Sequence, residues 1–193
     1  MDATYDADFT DGLHFDAQLP VEFQEQDAEP LPETLARLNA DNLQVLQADA
    51  SLAESHRLVD AKDEERPWLA DLARLEFKLD VLLGTLGRLL ARDAAMPAIT
   101  PIRMYAGGVE WPARERRPVT GTSGRLTLYV NPAFPQPLVL QGRVTGYRSD
   151  GQGLWAQFAF VGLGPGVVEL LEKLVFRQHR RQVASARGSG GGA

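Results

Sequence analysis

Six of the nine leucines within residues 68–90 (WLADLARLEFKLDVLLGTLGRLL) fall at heptad spacing, and they constrain this chain more than any other feature. Leu72, Leu79 and Leu86 occupy a positions of a heptad, Leu75, Leu82 and Leu89 the d positions, and Trp68 lies one d position earlier. A lone helix cannot hide such a stripe, so it must face either its own domain or copies of itself. Leu83 and Leu90 fall at e positions, which stay wet in a two-stranded coil and are buried in a larger bundle. Each buried leucine contributes about 1.5–3 kcal/mol. Gly84 and Gly87 each weaken the helix by about 1 kcal/mol relative to alanine, so packing must hold it. The expectation is a self-associating helix over 67–93, with an amphipathic helix lying on its own domain as the alternative.

The rest of the chain is arranged around that helix. Residues 1–12 form a polar, acidic lead, expected to be flexible. Leu13, Phe15, Ala17, Leu19, Val21 and Phe23 alternate with polar residues, which predicts a strand buried on one face. Pro20 interrupts it and suggests an edge position or a bulge. Pro30 and Pro32 close this segment, and a helix is predicted over 33–59. There Leu35, Leu38, Val45, Leu52 and Val59 share a heptad register that Asn42, Asp49 and His56 break. That helix is expected to pack outside the leucine core.

After Pro97 the period changes to two. Short strands are predicted at 99–105, 107–111, 124–130, 137–148 and 153–161, with a hairpin turn at Ser149–Gly153. A last helix over 166–185 follows Gly164-Pro165-Gly166, with Val168, Leu171, Leu174 and Val175 on one face. Residues 188–193 (GSGGGA) read as a flexible tail. The expected organisation is a lead over 1–12, a first strand segment over 13–30 and a helical oligomerisation insert over 31–97. The remaining strands and last helix then fill 98–187. A lone strand is unstable, so the strand before the helices needs partners beyond them. One barrel of about six strands, split after its first strand, meets that requirement.

Composition removes several classes. There is no cysteine, hence no disulfide framework and no thiolate metal site; a reducing cytoplasm suits the chain. No secretory leader and no bilayer-spanning apolar run is recognisable. Residues 1–30 carry nine of the 26 acids and none of the 20 basic residues, so the lead repels nucleic acid and anionic lipid. His14, His56 and His179 stand alone, and neither an H-E-x-x-H spacing nor a G-x-S-x-G elbow occurs. The Gly162–Gly166 run fits a helix start better than a phosphate loop, because Pro165 removes a backbone donor. No enzyme and no metal are expected.

MYAGGVEW (104–111), an L-x-L strand ending in NPAFPQPLVLQGRV (131–144), WAQFAFVGL (155–163) and LLEKLVFRQHRRQ (170–182) together resemble the PilZ family. The resemblance is to its atypical branch, in which long helices interrupt the barrel. It implies an α+β fold, a six-stranded PilZ-like barrel and a parallel bundle of heptad helices. It also implies a cytoplasmic, non-catalytic protein of cyclic-di-GMP signalling that forms a tetramer and serves an unidentified protein partner. The expected oligomerisation residues are Trp68, Leu72, Leu75, Leu79, Leu82, Leu83, Leu86, Leu89 and Leu90.

Ligand-binding PilZ barrels carry R-x-x-x-R before the first strand and [DN]-x-S-x-x-G on the next. Guanidinium forks suit a dianionic dinucleotide, and a tight glycine turn seats it. Here Arg103-Met104-Tyr105-Ala106-Gly107-Gly108 aligns with the second motif, but Arg103 replaces the acid or amide and Tyr105 the serine. Acids stand where the first motif belongs. Arg88 and Arg92, and Arg177 and Arg181, have the R-x-x-x-R spacing on helices and read as solvated faces. The resemblance therefore implies weak or absent cyclic-di-GMP binding. A rebuilt site is the alternative, using Arg103, Gly107, Gly108, Arg114, Arg116, Arg117, Arg177 and Arg181. Arg177, His179, Arg180 and Arg181 form a basic cluster that either complements a helix C-terminus or contacts an anion or a partner protein; nucleic acid is not expected.

Overall fold

The computed structural model describes residues 9–28, 30–60, 96–113, 117–131, 136–151 and 153–189, and a helical backbone at 74–75, 78–79, 81–82 and 85. The elements are a 3-10 turn at Phe9–Asp11, β1 (His14–Glu25), α1 (Pro32–Asp60), β2 (Ile99–Tyr105), β3 (Gly108–Pro112), β4 (Ser123–Leu128), β5 (Leu138–Asp150), β6 (Gly153–Phe160) and α2 (Pro165–Ser189). All strand pairs are antiparallel, and the sheet closes in the order β1-β2-β3-β6-β5-β4. The strand preceding the helices does find its partners beyond them.

β1 is not an edge strand. It pairs with β2 through His14–Pro20 and with β4 through Val21–Glu25, so Pro20 marks the residue at which it changes neighbours. A ladder bond lost to proline matters least at such a switch. The bulge lies elsewhere, between Val144 and Gly146 on β5.

Alternate residues point inward and build the core: Phe15, Ile102, Met104, Val109, Leu126, Leu128, Leu138, Leu140, Val144 and Phe158 are all buried. Its centre is aromatic. Phe23 lies 5.5 Å from both Trp111 and Phe158, ring centre to ring centre. The cross-strand pair Gly124–Gly142 makes room for these rings. A Cβ on Gly124 would stand 2.4 Å from the Phe23 ring, and one on Gly142 would stand 2.5 Å from that of Phe158.

α1 and α2 cover the barrel. Val45 and Leu46 of α1 join Val167, Leu171, Leu174 and Val175 of α2 in the same core. Val167, rather than Val168, supplies the first buried position of α2. Two of the three residues that break the α1 heptad prove to be contacts of this packing, since Asn42 and Asp49 are buried. Through this stretch α1 packs on β5 and α2.

Both ends of the chain hold more structure than expected. Phe9, in the acidic lead, is buried with Tyr105 and Ala159. α2 runs on to Ser189, past the expected end at 185. Of the seam, Leu75, Leu79 and Leu82 are helical and exposed by 57%, 58% and 60%. Trp68, Leu72, Leu83, Leu86, Leu89 and Leu90 lie outside the described residues, as do Arg88, Arg92, Arg114 and Arg116.

Candidate functional site

Where strand edges are left without a strand, side-chain amides stand in. Asn42 Nδ2 donates to the Val139 carbonyl and its Oδ1 accepts the Val139 N–H, each at 2.8 Å. Asn39 does the same for the loop before α2, donating to Gly162 O at 2.8 Å and accepting from Gly164 N at 3.0 Å. Gln182 accepts the Asp16 N–H at 3.2 Å and donates to the Asp16 carbonyl, while His179 Nδ1 lies 2.7 Å from His14 O. Both helices are thereby held on the barrel in a fixed register, because buried backbone polar groups must be paired.

On the outer face, the strand registers assemble a polar ladder. Asp16 faces Arg103, Arg103 faces Glu110, and Glu110 faces Gln157 across β1, β2, β3 and β6. Arg103 Nε donates to Asp16 Oδ1 at 2.9 Å, and its Nη1 lies 3.8 Å from Glu110 Oε2. Glu110 is fully buried. It accepts two forked bonds from Arg148, Nε to Oε1 at 3.1 Å and Nη2 to Oε2 at 2.9 Å, and one from Gln157 Nε2 at 3.0 Å. Arg148 also lies 3.4 Å from Asp150 and over the Trp155 ring, 5.7 Å from its centre. The hydrogen bond to Asp16 holds the Arg103 pKa above its ordinary value, and the bond to Glu110 does so for Arg148.

β2 and β3 pair only at Arg103–Glu110 and Met104–Val109. Beyond these pairs an open groove of about 1220 Å³ forms, lined among others by Asp16, Pro101, Arg103, Arg117, Asp150 and Trp155. Pro101 and Pro112 stand on its two lips and carry no N–H, which discourages strand addition.

The described members of the expected ligand set are thus dispersed. Arg103 and Arg117 share the groove, but Arg103 is held by acids on two sides. Gly107 lies in the bend just before β3, its carbonyl accepting the Phe160 N–H at 2.9 Å. Gly108 is covered: a Cβ there would stand 2.6 Å from Phe158 O and 2.7 Å from the Phe9 ring. Tyr105, at the serine position, is buried with its ring centre 5.3 Å from that of Phe9. Arg177 is not on a solvated face, since its guanidinium pairs with Asp49 of α1. Arg181 is exposed on α2, one helical turn beyond Arg177. Sequence reasoning missed Glu110, Arg148, Gln157 and Asp16. Each is an ordinary polar residue until strand pairing sets them opposite one another. Among the described residues, no group of three or more acids and histidines could hold a metal, and no helix is long and apolar enough to cross a membrane.

A family model described as "Atypical PilZ domain, cyclic di-GMP receptor" matches residues 46–188. The chain belongs to the atypical PilZ family. The description names a receptor, not an enzyme. A solved structure is similar over 90% of this chain and 92% of its own, at 26% identity and a TM-score of 0.67. It is of a pathogenic protein from Xanthomonas campestris, described as a new tetrameric PilZ domain self-assembled via an unusual helical bundle. No curated protein matches this PilZ chain.

Proposed function

We propose that this PilZ chain is a non-catalytic, cytoplasmic adaptor of cyclic-di-GMP signalling, assembled through parallel 67–93 helices into a tetramer. It presents four barrels to a protein partner and binds cyclic-di-GMP weakly or not at all. The observation that carries this reading is the exposure of Leu75, Leu79 and Leu82, three consecutive d, a and d positions of one helical stripe. Three large apolar side chains at that spacing fit burial against copies of themselves. The tetrameric neighbour, described as assembling through a helical bundle, supports the same geometry. The engagement of Arg103 by Asp16 and Glu110 supports the weak-ligand part, since a phosphate would have to displace those carboxylates.

The receptor reading is favoured by one feature, the groove that holds Arg103 and Arg117 beside Trp155. Titration calorimetry with cyclic-di-GMP on the full chain separates the two readings. The adaptor predicts no saturable heat at micromolar ligand. Saturable heat that Arg103→Ala abolishes would make the protein a receptor with a rebuilt arginine site.

A further inference from the structure

α2 carries an exposed stripe that nothing in the adaptor reading uses. Phe176, Arg180, Val183 and Arg187 are spaced four, three and four residues apart and so share one helical face. Phe176 is 55% and Val183 37% exposed, and both arginines are exposed. The Arg180 guanidinium lies over the Phe176 ring, 5.7 Å from its centre. Arg177, by contrast, faces α1 and is paired with Asp49. Among the described residues no acid is paired with Arg180 or Arg187. The chain has no acid after Glu172, so beyond that residue α2 carries only basic side-chain charges.

We infer that this stripe is the docking surface of the chain's own acidic lead, residues 1–8 (MDATYDAD). Three observations on this molecule point to that occupant. The first is position. Phe9, the anchored residue that follows the lead, is joined to His179 of α2 by three ring-to-ring steps of 5.3, 5.1 and 6.4 Å, through Tyr105 and His14.

The second is reach. Eight residues span at most about 26–29 Å when extended, enough to pass His179 and follow α2 toward Arg187. The third is the order of chemical types. From Phe9 outward the lead offers Asp8 and Asp6, then Tyr5, then Asp2; from His179 outward the stripe offers Arg180, Val183, Arg187. Asp6 and Asp2 lie about 13–14 Å apart in an extended chain. Arg180 and Arg187 lie about 10.5 Å apart along the helix. The two spacings differ by about 3 Å, which the long arginine side chains can take up, so that carboxylates and tyrosine can meet guanidiniums and valine. Docking would neutralise the chain's most acidic and most basic surfaces against each other.

The absence of native cysteine makes the test direct. Spin labels are placed at Ala3→Cys and Ala184→Cys in the full chain, which is then mixed with a large excess of unlabelled protein, and the intramolecular distance is read by pulsed electron paramagnetic resonance. The expected result is a narrow distribution at low salt, well inside the ~26–29 Å span of the lead. It should broaden at high salt and in R180E/R187E, and be restored when D2K/D6K is added to those reversals. A broad distribution indifferent to charge reversal would overturn the inference. So would a short distance seen only without dilution, which would assign the stripe to a neighbouring copy's lead.

Discussion

Asn42 satisfies both backbone groups of Val139, giving and receiving a hydrogen bond of 2.8 Å from a side chain that is 2% exposed. It acts as one residue of a missing strand and fixes α1 against β5. The same residue interrupts a heptad, and an apolar side chain there would improve the helix while leaving two backbone groups unpaired.

Asn42→Leu should therefore destabilise the barrel by about 2–4 kcal/mol, because each buried unsatisfied group costs about 1–3 kcal/mol. Urea unfolding followed by Trp fluorescence measures this. A neutral or stabilising leucine would mean that α1 packs by its heptad after all.

Glu110 ties β3 to β5 and β6 through Arg148 and Gln157. Removing Arg148 leaves the fully buried Glu110 carboxylate without its forked partner, and removing Glu110 takes the acceptor from both Arg148 and Gln157. Glu110→Ala should cost about 2–4 kcal/mol, and Glu110→Ala with Arg148→Ala much less than the two single changes added. Additive single costs in the double-mutant cycle would show that the ladder is ornamental to stability.

Tyr105 gives a pH dependence of known sign. Burial, with the Glu110 charge second, raises its phenol above the ordinary value of 10.0. The neutral phenol is therefore favoured more in the folded than in the unfolded chain. Its contribution is complete below pH 10.0 and is lost as pH rises through the raised native value. Between about pH 9 and 11, wild type should lose more stability than Tyr105→Phe, as followed by urea midpoints. Parallel losses would mean that the phenol is solvated in the native state.

How far the sequence carries this account depends on the range over which each signal acts. The alternation of Leu126 and Leu128, the turn at Ser149–Gly153 and the prolines around the helices are local, and they placed β4, the β5–β6 hairpin and α1 to within a few residues. The register between distant strands is not local. Glu110 reads as one polar residue in VEWP, and only pairing with a strand 38 positions later brings it to Arg148. Asn42 and Asp49 looked like flaws in a heptad because their partners, Val139 and Arg177, lie 97 and 128 positions away. Phe9 was hidden in an acidic lead whose composition suggested no structure, although one aromatic ring suffices to anchor it on Tyr105. Arg103 was legible as a candidate from its place shortly before Gly107 and Gly108. The acids that occupy Arg103 were not, since Asp16 stands 87 positions before it.

Self-assembly through the leucine stripe is the central claim, and the mass of the protein in solution tests it most directly. Multi-angle light scattering should give four times the 21.2 kDa chain for wild type and a single chain for Leu79→Glu with Leu82→Glu, with the far-ultraviolet signature of the barrel retained. A wild-type mass of one chain, or a variant that stays tetrameric, would contradict the account.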